Sequence, residues 1–188
     1  MPNDATPSSR ERMIAATVDL LRGYGLSGAG INDIVRESAA PKGSVYHFFP
    51  GGKQQIAEEA LRAYVPQVDA FIEQAMAGQR TPALRVKALF EAFARRVEGA
   101  EFRRSCPIGT VCLDLSGESE PLRPVLQEAL ETWTRTIARH VDLGDARRSR
   151  SFAGLVMTAI EGAYVRARAE HSAQAFREAG QWLAQAVA

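Results

Sequence analysis

Apolar positions recur along this chain at intervals of three and four residues, the spacing of helices with one buried face. From Ser8, the set Met13, Ile14, Thr17, Leu20, Leu21 and Tyr24 predicts a first helix that stops at Gly23-Tyr-Gly25. Beyond the glycine-rich link from Gly25 to Gly30, Ile31, Ile34 and Val35 share one face of a short second helix, Ile31 to Glu37. A third is expected to begin near Pro41, a residue suited to a first helical turn, and to reach about Phe48. Pro50-Gly51-Gly52 closes this unit.

A long helix then opens near Lys53 with Ile56, Ala60, Leu61, Tyr64, Val68, Phe71, Ile72 and Ala75 in register, kinked at Pro66. Thr81 as N-cap and Pro82 at the first position start a fifth, burying Val86, Leu89, Phe90, Phe93 and Val97. Residues 99 to 117 read as a loop with one short helix. A further helix opens at Pro121 or Pro124, aligns Leu126, Leu130, Trp133 and Ile137, and ends at Leu143-Gly144. The cleanest period is Phe152, Leu155, Val156, Ala159, Ile160, Ala163, Tyr164 and Ala167. A last helix carries Phe176, Ala179, Trp182, Leu183 and Ala186. No strand alternation and no repeat interrupts the pattern. The fold class expected is therefore all-α, a three-helix N-terminal unit over residues 8–52 followed by a helical bundle over 53–188.

With 188 residues, 46% hydrophobic and 24% charged, the composition is that of a folded globular chain. No secretory leader and no apolar run long enough to span a bilayer is legible, so a cytoplasmic protein without membrane partners is expected, with Cys106 and Cys112 as free thiols. The net charge is only +1. Within residues 1–55, Arg10, Arg12, Arg22, Arg36, Lys42 and Lys53 face Asp4, Glu11, Asp19, Asp33 and Glu37, a surplus of one. Bulk charge therefore says nothing about nucleic acid, and only the placement of cations can.

That placement is suggestive in residues 30 to 49. Two short helices joined by a tight turn let the second enter a DNA major groove while the first braces it. At about 100° per residue, Val45, Phe48 and Phe49 fall on one arc of the third helix, and Lys42, Gly43, Tyr46 and His47 on the other. Lys42 suits a phosphate or a guanine edge, Tyr46 and His47 offer donors to phosphates, and Gly43 lets the backbone approach the duplex. Ser44 lies to one side, Lys53 and the amides beside it form an anion-binding corner, and Arg10 and Arg12 are placed to add backbone contacts. The same pattern also describes an ordinary surface helix of a bundle, and the residues alone leave both readings open.

The run Ile31-Asn-Asp-Ile-Val35, then Pro41-Lys-Gly-Ser-Val-Tyr-His-Phe-Phe49 and Lys53, closely resembles the DNA-binding signature of TetR-family repressors, over roughly residues 10 to 61. Phe49-Pro-Gly-Gly-Lys53, Cys106-Pro-Ile-Gly109 and Ile160-Glu-Gly-Ala-Tyr164 with Arg166-Ala-Arg168 are similar to the LmrA/YxaF-type branch. The chain departs from the family where Ala29 and Gly30 replace the usual Thr or Ser cap of the second helix, and where Pro41 replaces a small polar residue. The resemblance implies a repressor of a palindromic double-stranded operator, released by a small hydrophobic or aromatic effector. Phe71, Phe90, Phe93, Phe102, Trp133 and Tyr164 are the candidate lining of its pocket. It also implies a homodimer through a four-helix bundle, for which Phe152, Leu155, Val156, Ala159, Ile160, Ala163 and Trp182 are the candidates. Ala153, Gly154, Gly162 and Ala163 would permit close approach of a second helix, although the stripe also fits intramolecular core. The long fourth helix is expected to carry the signal from pocket to reading head.

Enzyme chemistry finds little support: there is no HExxH, no CxxC pair and no phosphate loop after a strand, so neither metal nor cofactor is expected. One alternative keeps the same scaffold. Arg103 and Arg104 adjoin Cys106, and if they lowered its pKa, Cys106 or Cys112 would serve as a redox or electrophile sensor.

Overall fold

The computed structural model describes residues 7–188, and among these every regular element is helical. Helix α1 (Ser9–Gly28) opens on a capping box, with the Ser8 hydroxyl accepting from the Glu11 N–H at 3.2 Å and Glu11 accepting from the Ser8 N–H at 2.7 Å. Its backbone leaves the helix at Gly25, φ 69°, so the expected stop is present, but one more turn follows to Gly28. Helix α2 (Ile31–Ser38) starts at Gly30 without a side-chain cap, as Ala29 and Gly30 suggested. Ile34 is fully buried beneath it.

The third helix differs from expectation. Pro41 precedes the helical residues, Lys42–Ser44 form a single 3-10 turn, and only Val45–Phe48 (α3) is α-helical. Four α-helical residues, and not about eight, therefore fix the register, yet the faces come out as the periodicity requires. Gly52, φ 62°, starts the next helix in the left-handed region, a conformation that suits glycine.

Helix α4 (Gly52–Met76) continues through Pro66 without a break, and α5 (Pro82–Gly99) is capped by Thr81. Helix α6 (Pro107–Leu113) resolves the ambiguous stretch. A 3-10 turn at Glu120–Leu122 contains Pro121, so Pro124 is the proline that opens α7 (Arg123–His140), which ends before the expected Leu143-Gly144. The fold closes with α8 (Ala146–Glu170), capped by Asp145, and α9 (Gln174–Gln185).

In the body α5 packs on α9, α4 on α7, and α8 between α7 and α9, while α1 rests on α2, α4 and α6. Gly180 lets α9 lie directly against Phe90 of α5, because a Cβ there would come within 2.5 Å of the Phe90 Cβ. One buried apolar cluster runs from Met13 to Ala184, so the N-terminal helices share a continuous core with the bundle. No helix among the described residues is long and apolar enough to cross a membrane.

Candidate functional site

The 42–49 segment divides cleanly. Val45 and Phe49 are completely buried and Phe48 half-buried, whereas Lys42, Gly43, Tyr46 and His47 face outward, Tyr46 with 64% of its surface exposed. A side chain on Gly43 would meet nothing within 4 Å, so internal packing does not demand glycine there. Ser44 turns inward, its hydroxyl donating to the Pro41 carbonyl at 2.6 Å. Lys53 is half-buried in the first turn of α4, and neither it nor Lys42 takes part in an ion pair among the described residues. Arg10 and Arg12 are more occupied than expected. Arg10 pairs with Glu59 and stacks over Phe49 at 5.4 Å, and Arg12 donates to the Ser38 and Pro7 carbonyls at 3.0 and 2.8 Å. These contacts hold α1 to α2 and α4 and draw the two cations away from the free outward role anticipated for them.

Of the six aromatics named for a pocket, the fold gathers some and separates others. Phe93 is the hub, with Phe71 at 5.0 Å, Tyr164 at 6.0 Å and Phe176, stacked, at 6.2 Å. Trp133 lies on the other side of α4, 6.4 Å from Tyr64, and its indole N–H donates to the Val65 carbonyl at 3.0 Å. Phe90 belongs to the α5–α9 contact. Phe102 stands apart, half-buried at the edge of the core with its ring 5.9 Å from that of His171.

Two polar residues at this core, Arg96 and Glu161, escaped the periodicity, because each sits in a helix read for its apolar stripe. Arg96 lies over the Phe71 ring at 4.9 Å and donates to the Tyr64 hydroxyl at 3.2 Å. Burial pushes the Tyr64 hydroxyl up to about 12 and that of Tyr164 well above its ordinary value, so both remain protonated donors. Glu161 faces Cys106 and the first turn of α6, and burial lifts its carboxyl to about 7. A polar residue inside the Phe152–Ala167 stripe was the available signal for it.

At Cys106 the two neighbouring arginines do not lower the thiol as expected. Arg104 pairs with Asp19 at 2.9 Å, and neither Arg103 nor Arg104 is among the groups that act on the Cys106 thiol. The thiol is buried beside Glu161, and desolvation followed by the carboxyl's charge pushes it well above its usual range. Cys112 is exposed, yet partial desolvation raises it too.

Helix α6 also meets the end of α1. The Leu21, Arg22 and Gly23 carbonyls, left free where α1 breaks, accept from the Thr110 hydroxyl at 2.8 Å, the Ser105 N–H at 2.9 Å and Arg168 at 2.7 Å. Asp114 accepts from the Ser27 N–H at 3.0 Å. The body thus holds α1 through α6 and α8 as well as through α4, a connection not anticipated from sequence.

On the outer face of α8 and α9, Leu155 is 53% exposed and Trp182 71%, with Phe152 and Ala159 half-buried beside them. Gly154 and Gly162 open onto free space. Val156, Ile160 and Ala163, also named for a dimer, point instead into the chain's own core, so for these three the intramolecular reading holds.

Residues 13–60 match the family of bacterial regulatory proteins of the tetR type, and residues 82–182 match the C-terminal domain of LmrA/YxaF-like transcriptional regulators. The chain is 33% identical over 156 residues to the HTH-type transcriptional regulator YxaF of Bacillus subtilis, covering 82% of each. It is 35% identical over 125 residues to the regulator LmrA of the same species, covering 66% of each. A regulatory protein TetR from Rhodobacter sphaeroides superposes with a TM-score of 0.84 at 22% identity, over 94% of this chain and 97% of that one. CifR, solved with 26-bp double-strand operator DNA, superposes with a TM-score of 0.80 at 19% identity, over 98% of each chain.

Proposed function

Because this chain belongs to the TetR family of transcriptional regulators, in its LmrA/YxaF-like branch, we propose that it is a cytoplasmic homodimeric repressor released from a palindromic operator by a small hydrophobic or aromatic effector. The head at residues 8–52 reads the DNA and the body at 53–188 holds effector and partner subunit. The observation that carries this reading is the split of residues 42–49. Apolar members are spent on packing, while Lys42, Tyr46 and His47 project from a segment short enough to enter a groove, and Lys53 stands at the helix start behind it. That CifR, which shares this fold, was solved with operator DNA supports a DNA-binding reading. Ser44, bonded to its own turn, contributes less than its neighbours.

A partner subunit packs on Phe152, Leu155, Ala159 and Trp182, and its recognition segment meets the second half of the palindrome. The effector enters the aromatic group around Phe93, with the Tyr64, Arg96 and Tyr164 polar atoms orienting it. It releases DNA by binding better to a form in which the two recognition segments are misplaced. Helix α4 and the α6 bridge to α1 both transmit that difference.

Fluorescence anisotropy on DNA flanking the coding sequence tests the reading. Lys42→Ala and Tyr46→Ala should each weaken binding at least 10-fold at a fixed salt concentration while leaving the melting temperature unchanged. Wild-type affinity in both variants refutes it.

A further inference from the structure

A groove of about 990 Å3 lies between the head and the body, walled by α1 and α2 on one side and by residues 102–104 and the end of α8 on the other. Three rings reach it: Tyr24, 70% exposed, and Phe102 and His171, which meet edge to face. Its floor at Gly23 carries no side chain, and the Arg103 backbone and the Arg168 guanidinium both close on that residue.

The charges in the groove do not cancel. Arg36 is held by Asp33 and Glu37, and Arg104 by Asp19. Arg12 and Arg168 touch only neutral carbonyl and hydroxyl oxygens among the described residues. Arg103 has a single ion pair, to Glu101 at 3.5 Å, with the two side chains 79% and 75% exposed, a contact that solvent leaves nearly worthless. Exposed rings beside uncompensated guanidinium groups are the complement of a planar ring bearing a negative charge.

We infer that this groove is a binding site for a small aromatic anion, an aryl carboxylate or aryl phosphate, with its ring against Phe102, His171 and Tyr24 and its anionic group on Arg103 and Arg168. The site is separate from the aromatic group around Phe93 and does not depend on an effector binding there. Its occupant touches both the head and the body and is therefore coupled to their relative position. Phe102, set aside by the fold from the other candidate aromatics, has its role here.

Calorimetric titration of the full chain with benzoate and with phenyl phosphate tests this, with inorganic phosphate and phenol supplying the anion and the ring separately. Saturable binding of either aromatic anion is expected, at least 10-fold tighter than of phosphate or phenol, and weakened several-fold between low and high salt. Which of the two binds more tightly identifies the anionic group. Arg103→Glu, at an exposed position that does not endanger folding, should raise Kd at least 10-fold, and Tyr164→Phe in the interior should leave it unchanged. Absence of saturable binding by both probes overturns the proposal, as does binding that Arg103→Glu leaves intact. Loss of DNA affinity in Arg103→Glu with no probe binding would assign the groove to a nucleic-acid backbone and also overturn it.

Discussion

The carboxyl group of Glu161 on α8 fills the place into which a side chain at Gly109 on α6 would project, so any larger residue at 109 must push that carboxyl aside. Through this contact an acid in the interior of the body meets the short helix whose other residues hold the end of α1.

Stability should depend on pH through Glu161. Its carboxyl titrates near 7 in the folded chain, against an ordinary 4.5, because burial disfavours the charged form. Between these values the folded state holds a proton that the unfolded chain releases, so stability falls as pH rises through that window and levels off above it. At about 1.4 kcal/mol per unit, the loss amounts to at most about 3.5 kcal/mol. Thermal melts at pH 5, 6, 7 and 8 should show this decline, and Glu161→Gln should flatten it. Parallel curves for the two proteins would contradict the assignment.

Gly109→Ala should cost about 1 kcal/mol, the low end of the usual penalty for an added methyl, because the group it strikes is the far end of the Glu161 side chain, which must turn aside. Combining it with Glu161→Ala should recover part of that loss, since the second change removes the group the methyl strikes. Chemical denaturation of the two single variants and the double variant measures the coupling. Strict additivity would mean that the α6–α8 contact yields without strain.

Leu155→Glu with Trp182→Glu should convert the proposed dimer into monomers with little change in helix content, because both side chains are exposed within one chain. Ile160→Glu would instead unfold the protein, since Ile160 is buried in its own subunit. Light scattering with circular dichroism separates the two outcomes. A double variant that stays dimeric would move the interface elsewhere.

Toward a disulfide reagent at neutral pH, Cys112 should react first, and Cys106 at least 10-fold more slowly. Both thiols sit above their ordinary pKa, but only Cys106 is also buried. Mass mapping of the labelled residues reads this directly. Preferential labelling of Cys106 would restore the sensor reading that the geometry disfavours.

The helical architecture and the two faces of residues 42–49 were legible in the linear sequence because a 3.6-residue period assigns each side chain to an arc without knowledge of what lies opposite. Val45 and Phe49 against Tyr46 and His47 is such a case, and it survived even the replacement of the first helical turn by a 3-10 turn. What periodicity could not decide is which apolar arc meets which neighbour. Phe102 and Phe93 look alike in sequence, yet chain packing puts one in a surface groove and the other at the centre of the body. In the same way, Leu155 and Val156 are adjacent members of one stripe, and about 100° of rotation gives one to solvent and the other to the core. Nor does any local rule announce that Glu161 faces Gly109, or that Thr110, Ser105 and Arg168 gather the carbonyls of α1. Those contacts join residues more than fifty apart. Local propensity sets the helices and their faces, but the pairing of distant groups is decided only when the helices dock.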